Sequence, residues 1–546
     1  MKTIIGLTSL LAAIALMVIL FGQSRGVVAA IDGPVRVEGG LISGVTDAKS
    51  EVRVFKGIPF AAPPVGDLRW RPPSPVKAWS GVRQADQYSA PCMQPLVPLL
   101  PGVAKLEFEE GLRVPGTPSE DCLYLNVWTG AKSAAERRPV MVWIHGGGLI
   151  IGSPAVLSTD GAALAKKGVV LVSINYRLGA FGFMAHPDLT KESTHHASGN
   201  YGLLDQLAAL QWVRKNIASF GGDPGNITIF GESAGSWSVN LLVASPLAKG
   251  LFHRAIGESG ALLLGLKNLE GLLAVNGQSL SEAEQTGVKM AQSAGARSLS
   301  ELRAKSAGEI LKAAVPPGNP LAAPFGATID GWVLPDSVVH IFENGRQNDV
   351  PILIGSNATE GALFMTQPVR ADAAREQARQ AFGPQAEAFL KLYPATTDDE
   401  AKTSTTQYLG DAVFGLQMRT WARLQRKTGK AAAYLYMFDR VPPDAVCRCA
   451  THAAEIVYAF NNVGLSSRPF QDVDRKVADT MSSCWVNFAR KGDPNGAGVP
   501  NWSAYREQSD TLMVFGDAIQ ERPVPRKSAL DFLEAQFKQV RSSSRD

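Results

Sequence analysis

Ser233 stands in the pattern Gly-x-Ser-x-Gly, between Gly231 and Gly235. The segment before it, NITIF, reads as a short buried strand, and the segment after it, SAGSWSVNLLVAS, is typical of a helix. On a sharp strand-to-helix turn a serine exposes its hydroxyl above the sheet, and the flanking glycines relieve backbone crowding. This context predicts a nucleophile for acyl transfer and disfavours a purely structural serine. The similar segment GESGA around Ser259 lacks a glycine at the second position that the pattern requires, and Ser259 is predicted to be structural.

The nucleophile needs a base, because a serine hydroxyl reacts weakly unless a neighbouring group accepts its proton. Three histidines follow Ser233 in the chain, namely His253, His340 and His452. On this type of turn an acid precedes the histidine in sequence. His253 comes too soon after the serine to leave room for that acid, and His340 lies among apolar residues at helical spacing. Elimination favours His452 as the general base.

Glu360 is the best placed of the carboxylates that could orient the histidine. It lies in a short polar loop after the predicted strand PILIGS and directly before Gly361. Open α/β sheets build their sites at the carboxyl ends of strands. From the residues alone, an orienting acid and a solvated loop glutamate remain equal alternatives.

The glycine run HGGGLI, residues 145–150, follows the apolar segment PVMVWI. Tetrahedral intermediates of acyl transfer need backbone N–H donors aimed at the developing oxyanion. Glycines let the backbone approach a substrate closely. We therefore expect Gly147, Gly148 and Ala234, the residue after the nucleophile, to supply these donors.

The segment CRCATHAAE places Cys447, Cys449, His452 and Glu455 within nine residues. A metal site is one interpretation, but zinc sites typically use two to four residues between paired cysteines, and here there is one. We predict instead that this segment carries the catalytic histidine and that Glu455 fixes its loop. We predict neither a metal nor a cofactor.

The elements that must position these residues alternate between apolar strands and amphipathic helices. Such alternation predicts an α/β fold with a large, mostly parallel, mixed central sheet flanked by helices. The helix-rich stretch from about 262 to 322 is expected to be an insertion that covers one end of the sheet. We expect residues 31–546 to form a single domain. The strands are predicted in CLYLNVW, PVMVWI, GVVLVSINYR, NITIF, DVPILIGS and AAAYLYMF, and the main helices in GLLDQLAALQWVRKNIASF, SAGSWSVNLLVAS and DRKVADTMSSCWVNFARKG.

Composition and the N-terminal sequence indicate which partners and which cellular location to expect. With 45% apolar residues, 19% charged residues and a formal net charge of +4, the chain gives no support for nucleic-acid binding. Lys2, the apolar run over residues 4–21 and the small residues Val28 and Ala30 predict an export signal over residues 1–30. An uncleaved membrane anchor is the alternative. We predict a secreted or periplasmic protein without stable membrane association once the signal is removed, and the sequence does not indicate an oligomeric state.

Longer motifs resemble the type-B carboxylesterase/cholinesterase family, and they extend from Glu120 to Asn495: EDCLYLNVW, VMVWIHGGG, NYRLGAFGF, GNYGLLDQ, FGGDPGNITIFGESAG, ATIDGWVLP and NFARKGDPN. The resemblance implies an α/β-hydrolase fold with helical insertions over the active site. It also implies hydrolysis of small-molecule carboxylic esters through an acyl-enzyme. Position by position, it implies a triad of Ser233, Glu360 and His452, an oxyanion hole of Gly147, Gly148 and Ala234, and a disulfide between Cys92 and Cys122.

The resemblance also suggests a substrate class. The loop between Cys92 and Cys122 contains no tryptophan, whereas cholinesterases use one there to bind a quaternary ammonium, so a choline ester is disfavoured. Bacterial relatives include enzymes that remove polycarboxylate side chains from fumonisin-type esters, so bulky or polycarboxylate esters are candidate substrates. Glu232 and Arg448 are candidate substrate-binding residues, and a solvated Arg448 is the alternative. A non-catalytic binding or adhesion module of the family is the alternative function.

Overall fold

A computed structural model describes residues 33–95, 114–264, 277–315, 324–365, 367–445 and 448–543. The predicted export signal, residues 1–30, lies outside these ranges, and so does Cys447.

The centre of the fold is an eleven-stranded mixed sheet. The strands of the protein are β1 (Val35–Val37), β2 (Gly40–Ser43), β3 (Val45–Thr46), β4 (Arg53–Pro59), β5 (Val82–Gln84), β6 (Tyr124–Thr129), β7 (Arg138–Ile144), β8 (Val170–Ile174), β9 (Gly222–Glu232), β10 (Arg254–Glu258), β11 (Gln278–Ser279), β12 (Thr328–Ile329), β13 (Ile352–Asn357), β14 (Ala433–Phe438), β15 (Thr511–Phe515) and β16 (Ile519–Pro523). The large sheet has the order β16-β15-β14-β13-β10-β9-β7-β8-β6-β4-β3. Seven neighbouring strands, from β15 across to β8, run parallel. The outer strands at both edges pair antiparallel. The predicted mostly parallel, mixed sheet is therefore confirmed.

Helices cover this sheet and account for the apolar character of its central strands. The helices are α1 (Ala162–Lys166), α2 (Gly179–Phe183), α3 (Pro187–Glu192), α4 (Tyr201–Asn216), α5 (Ala234–Ala244), α6 (Leu280–Ser293), α7 (Leu299–Ala304), α8 (Ala307–Ala314), α9 (Val338–Glu343), α10 (Ala371–Phe382), α11 (Ala386–Leu392), α12 (Asp398–Gly410), α13 (Leu416–Thr428), α14 (Ile456–Ala459), α15 (Asp472–Lys491) and α16 (Lys527–Ser543). Successive side chains of β7 point to opposite faces. Val142 packs into one buried apolar cluster, and Met141 and Trp143 pack into another. Burial on both faces explains why β7 reads as a continuous apolar run.

The helix-rich character predicted for residues 262–322 is confirmed in the described part of that stretch. Helices α6 and α8 each begin with a capping box, in which Ser279 and Ser306 exchange hydrogen bonds with Glu282 and Glu309. A small two-stranded sheet of β11 and β12 accompanies these helices. Strands β15 and β16 were not predicted: the sequence interpretation overlooked the short apolar segment TLMVF of β15, and β16 is polar and mostly exposed. In the described ranges, none of the helices has the length and apolar character needed to cross a bilayer.

A disulfide joins Cys92 and Cys122 across 30 residues of sequence, as the resemblance implies. Both cysteines are buried, and the pair encloses the stretch that leads into β6. Cys449 is also disulfide-bonded, whereas Cys484 is a buried free thiol.

Replacing both Cys92 and Cys122 with alanine should lower the free energy of unfolding by about 3–4 kcal/mol, because the cross-link restricts the unfolded chain over a loop of this length. Chemical denaturation of the wild type and the double variant measures the difference. Cys484→Ala is the matched control, since it removes a buried sulfur without removing a cross-link. Equal losses in the two proteins would contradict a stabilising role for the disulfide.

Candidate active site

The residues with predicted chemical roles lie together at the carboxyl edge of the parallel strands. Gly147 follows β7, Ser233 follows β9, Glu360 follows β13 and His452 follows β14. These strands are close neighbours in the sheet, with only β10 between β9 and β13. This is the edge at which open α/β sheets place their sites.

Ser233 occupies a strained turn between β9 and α5. Its backbone has φ 56° and ψ −122°, a conformation that side-chain-bearing residues rarely adopt. The turn also needs its two glycines. A Cβ atom on Gly231 would lie 2.5 Å from the carbonyl oxygen of Ile144, and one on Gly235 would lie 2.0 Å from the same oxygen. The pattern around the serine therefore follows from a close approach of the turn to the end of β7.

The proposed oxyanion donors lie beside this turn. Gly147 and Gly148 have φ of 103° and 67°, and a Cβ on Gly147 would lie 2.2 Å from the carbonyl oxygen of Ile151. Ala234 is the first residue of α5, where N–H groups lack partners within the helix. Within the described ranges, no turn or loop hydrogen bond uses the N–H groups of Gly147, Gly148 or Ala234. Among the described residues these N–H groups are therefore available as donors, and their binding of an oxyanion stays a prediction.

His145 fixes the start of the glycine run. Its ring stacks on Tyr176 with the ring centres 4.5 Å apart, and the Tyr176 hydroxyl donates to the His145 carbonyl oxygen at 2.8 Å. Burial lowers the pKa of His145 to about 4, against the opposing hydrogen bond to Gly146. A neutral, stacked imidazole suits a structural role.

His452 is held by Glu360. Its Nδ1 lies 2.7 Å from Glu360 Oε2, and the other oxygen of that carboxylate accepts the N–H of Asn357 at 2.7 Å. Glu360 is fully buried, and the ring of Phe414 packs against the imidazole with 4.8 Å between ring centres. A carboxylate in this position orients the ring and stabilises its cationic form.

The second nitrogen of His452, Nε2, faces Glu232, and the sequence did not predict this contact. Nε2 lies 3.2 Å from Glu232 Oε1, and Glu232 directly precedes Ser233. In the parts of the chain described, no hydrogen bond joins the Ser233 hydroxyl to His452. Bonds of this kind often tighten only in the substrate complex. The imidazole therefore lies between two carboxylates, one of which belongs to the residue directly before Ser233.

These carboxylates change the acid–base properties of His452. Burial alone would lower the pKa of His452, but Glu232 and Glu360 more than offset it and raise this pKa to about 9. Burial raises the pKa of Glu232 well above its usual range, although His452 opposes this shift. The pKa of His452 and the pKa of Glu232 are therefore both raised where the two groups approach each other.

Replacing Glu232 with glutamine should move the acid limb of the kcat/KM profile to lower pH by about one unit. The substitution removes the acidic group whose charge raises the pKa of His452, so this pKa falls and more of the neutral base is present in acid. Initial rates on a neutral ester, measured over about pH 5–10, give the profile. Glu192→Gln serves as the control, because Glu192 pairs with Arg303 away from this site. An acid limb that stays in place in both variants would contradict the assignment.

Sequence reasoning predicted that Glu455 fixes the loop of His452, but it missed the buried residues Asn357, Glu258 and Trp485 near it. Glu455 accepts hydrogen bonds from Ser259 Oγ at 3.1 Å and from Asn357 Nδ2 at 2.5 Å, and Glu258 accepts from Trp485 Nε1 at 2.6 Å. Burial raises the pKa of Glu258 well above its usual range. Neither SNATEG nor GESGA carries a motif for such contacts, because the partners come from distant parts of the chain.

Arg448, the other candidate substrate-binding residue, lacks a described contact with the triad residues. Arg448 is exposed, and the described contact it makes is a backbone hydrogen bond to Ala445 at 3.0 Å. The structure therefore does not bring its side chain to the triad, and its part in substrate binding stays a prediction. Across the described residues, no group of three or more His, Cys, Asp or Glu side chains is arranged to hold a metal ion.

Comparison with known proteins agrees with this geometry. A sequence profile of the carboxylesterase family matches residues 32–533, and the chain belongs to this family. The protein is accordingly a carboxylic ester hydrolase with the α/β-hydrolase fold.

Individual relatives support the same class. The chain is 38% identical over 525 residues to fumonisin B1 esterase of Sphingopyxis macrogoltabida, covering 93% of this chain and 91% of that protein. It is 36% identical over 508 residues to carboxylesterase 1D of Mus musculus, covering 85% of each. Among solved structures, a carboxylesterase of Geobacillus stearothermophilus matches with a TM-score of 0.76 and 35% identity, over 91% of this chain and 99% of that one.

Proposed function

We propose that the protein hydrolyses carboxylic esters through an acyl-enzyme formed on Ser233. Its hydroxyl oxygen attacks the ester carbonyl carbon while His452 takes the hydroxyl proton. The N–H groups of Gly147, Gly148 and Ala234 stabilise the oxyanion. The C–O bond to the alcohol then breaks as His452 donates that proton to the leaving oxygen.

The second half of the reaction reverses these roles. A water molecule gives a proton to His452 and attacks the acyl carbon, and collapse of the intermediate returns the proton to Ser233 and releases the acid. Glu360 holds the imidazole in the required tautomer throughout. The observation that carries this proposal is the 2.7 Å contact between Glu360 and His452, beside a strained serine turn whose neighbouring N–H groups are free.

Covalent labelling tests the assignment of the nucleophile. A fluorophosphonate probe should form one adduct, and peptide mass spectrometry should place it on Ser233. An adduct on Ser259, or an active enzyme that resists the probe, would contradict the proposal. Labelling also separates a catalytic protein from a binding module that retains only the fold.

We infer that the substrates are bulky esters, including esters of polycarboxylic acids. The similarity to fumonisin B1 esterase over 93% of the chain supports this substrate class. Hydrolysis rates on matched ester pairs, one with a neutral and one with an anionic acyl group of the same length, test it directly. Equal or higher kcat/KM on the anionic member is expected, and a strong preference for the neutral member would reject this class. An unchanged ratio in Arg448→Ala would remove Arg448 from the substrate site.

We further propose that the mature enzyme acts outside the cytosol, after loss of residues 1–30. The disulfide between Cys92 and Cys122 supports this location, because such bonds persist in oxidising compartments. N-terminal sequencing of the mature protein tests cleavage, and a Met1 terminus recovered in a membrane fraction would contradict it.

A further inference from the structure

We propose that Asn357 is a positioning residue for His452, acting by joining the loop that carries the acid to the loop that carries the base. This inference rests on the proposed function. Asn357 is the last residue of β13, and its side chain is buried. It lies three residues before Glu360, and in the sheet it pairs with Phe438, the last residue of β14. It therefore occupies the point from which both loops depart.

Three hydrogen bonds link Asn357 to the catalytic machinery. Its N–H donates to Glu360 Oε1 at 2.7 Å, which fixes the carboxylate that holds His452. Its side-chain Nδ2 donates to the carbonyl oxygen of Thr451 at 2.6 Å, immediately before the histidine. The same Nδ2 donates to Glu455 Oε2 at 2.5 Å, three residues after the histidine. One amide group thus binds the chain on both sides of His452, at Thr451 and at Glu455.

The contacts require a donor in this position. Both Nδ2 protons are used, and both acceptors are oxygens, so the orientation of the amide is determined. Asn357 Oδ1 is buried and has no hydrogen-bond partner among the described residues. The side chain therefore acts here as a double donor. A leucine of similar size would remove the Asn357 donor from Glu455 Oε2 and would leave the Thr451 carbonyl oxygen with only the longer bond from the Ala454 N–H at 3.2 Å, which is costly for the loop that they belong to.

The Asn357 amide also affects the ionisation of Glu455, close to the imidazole of His452. Burial and Glu360 raise the pKa of Glu455 to about 7, and the hydrogen bond from Asn357 opposes this rise. It thereby favours the ionised Glu455, which in turn stabilises protonated His452 during the reaction. The titratable groups that face this region are Glu232, Glu258, Glu360, Tyr436, His452 and Glu455.

Two substitutions at Asn357 and one elsewhere test the proposal. Asn357→Leu keeps the volume and removes both donors. Asn357→Asp keeps the shape, but it donates only while its carboxyl is protonated. Asn348→Leu is the matched control, because Asn348 Nδ2 also donates to backbone carbonyls, near the opposite end of β13. The readouts are kcat, KM and the pH profile on a neutral ester, together with thermal unfolding.

Asn357→Leu should lower kcat by about 10-fold to 100-fold, with KM changed little, because the loss falls on the base and not on substrate binding. Asn357→Asp should show an additional loss of kcat as pH rises, where the wild type is on its plateau, because the ionised carboxylate faces two oxygens and neighbouring acids. Asn348→Leu should keep the wild-type profile even where it lowers the unfolding temperature. If Asn357→Leu does not fold, the alkaline loss in Asn357→Asp decides the question.

Wild-type pH profiles and kcat in both Asn357 variants would overturn the inference. So would an equal fall in kcat for the Asn348 control, since that would indicate a general effect on stability. Failure of the proposed function gives a different result, because the fluorophosphonate probe would then not label Ser233 in the wild-type protein.

Discussion

Alanine in place of Ser233 should abolish ester turnover and leave the fold intact. Loss of a serine nucleophile lowers kcat by about 10⁴-fold to 10⁶-fold in enzymes of this type, and the remaining rate comes from the oxyanion donors and from binding. Alanine and serine have the same backbone requirements, so the strained turn at φ 56° should be unaffected. Rates on a chromogenic ester and thermal unfolding curves measure the two effects.

Ser259 offers a matched control for this substitution. It has the same φ of 56° and lies in the similar segment GESGA after β10. Its hydroxyl contacts Glu455 and not the substrate side of the turn, so Ser259→Ala should lower kcat by at most about tenfold. Comparable losses in the two variants, or substantial activity in Ser233→Ala, would reject Ser233 as the nucleophile.

Glutamine in place of Glu360 should lower kcat by about 10⁴-fold. One carboxylate oxygen accepts from Asn357 and the other faces His452 Nδ1. A glutamine whose oxygen stays on the Asn357 N–H turns its NH₂ group toward Nδ1. The imidazole then places its proton on Nε2, and that nitrogen can no longer accept the proton of Ser233. The loss therefore follows from the wrong tautomer, without a change of shape.

Glu258→Gln is the matched control for this prediction. Glu258 is also a buried glutamate at a strand end, and the glutamine oxygen can still accept from Trp485 Nε1. We expect kcat to stay within about tenfold of the wild type, because the bond to Trp485 is retained. The values of kcat of the two variants are compared at saturating ester, and their unfolding temperatures show whether both variants fold. Equal losses would show that any change in this buried cluster impairs the enzyme.

The sheet and its serine turn were predictable because their signals are local. Apolar runs of strand length, the glycines around Ser233 and the capping residues each act within a few positions of the chain. The resemblance of the longer motifs then assigned Glu360, which spacing alone left equal to a solvated glutamate. Strand β16 gave no such signal because it is polar, whereas the apolar segment of β15 was overlooked. Both strands follow His452 in the chain.

The surroundings of His452 were not predictable, because they depend on which strands are neighbours. Glu232 comes from the end of β9, Ser259 follows β10, and Asn357 ends β13, yet all three lie around one loop after β14. No periodicity in the sequence encodes the 3.2 Å approach of Glu232 to Nε2. Contacts between residues so distant in sequence are known only when strand order and register are known.

The residues of the candidate site lie far apart in the sequence, and this distance has a consequence for biosynthesis. The proposed nucleophile is residue 233, and its proposed base follows 219 positions later. Strands β15 and β16, which complete the sheet beside β14, come after that base. A nascent chain that ends before His452 carries the serine without the group that activates it. With Ser233 and His452 in their proposed roles, we expect hydrolytic activity only when nearly the whole polypeptide has been synthesised and folded.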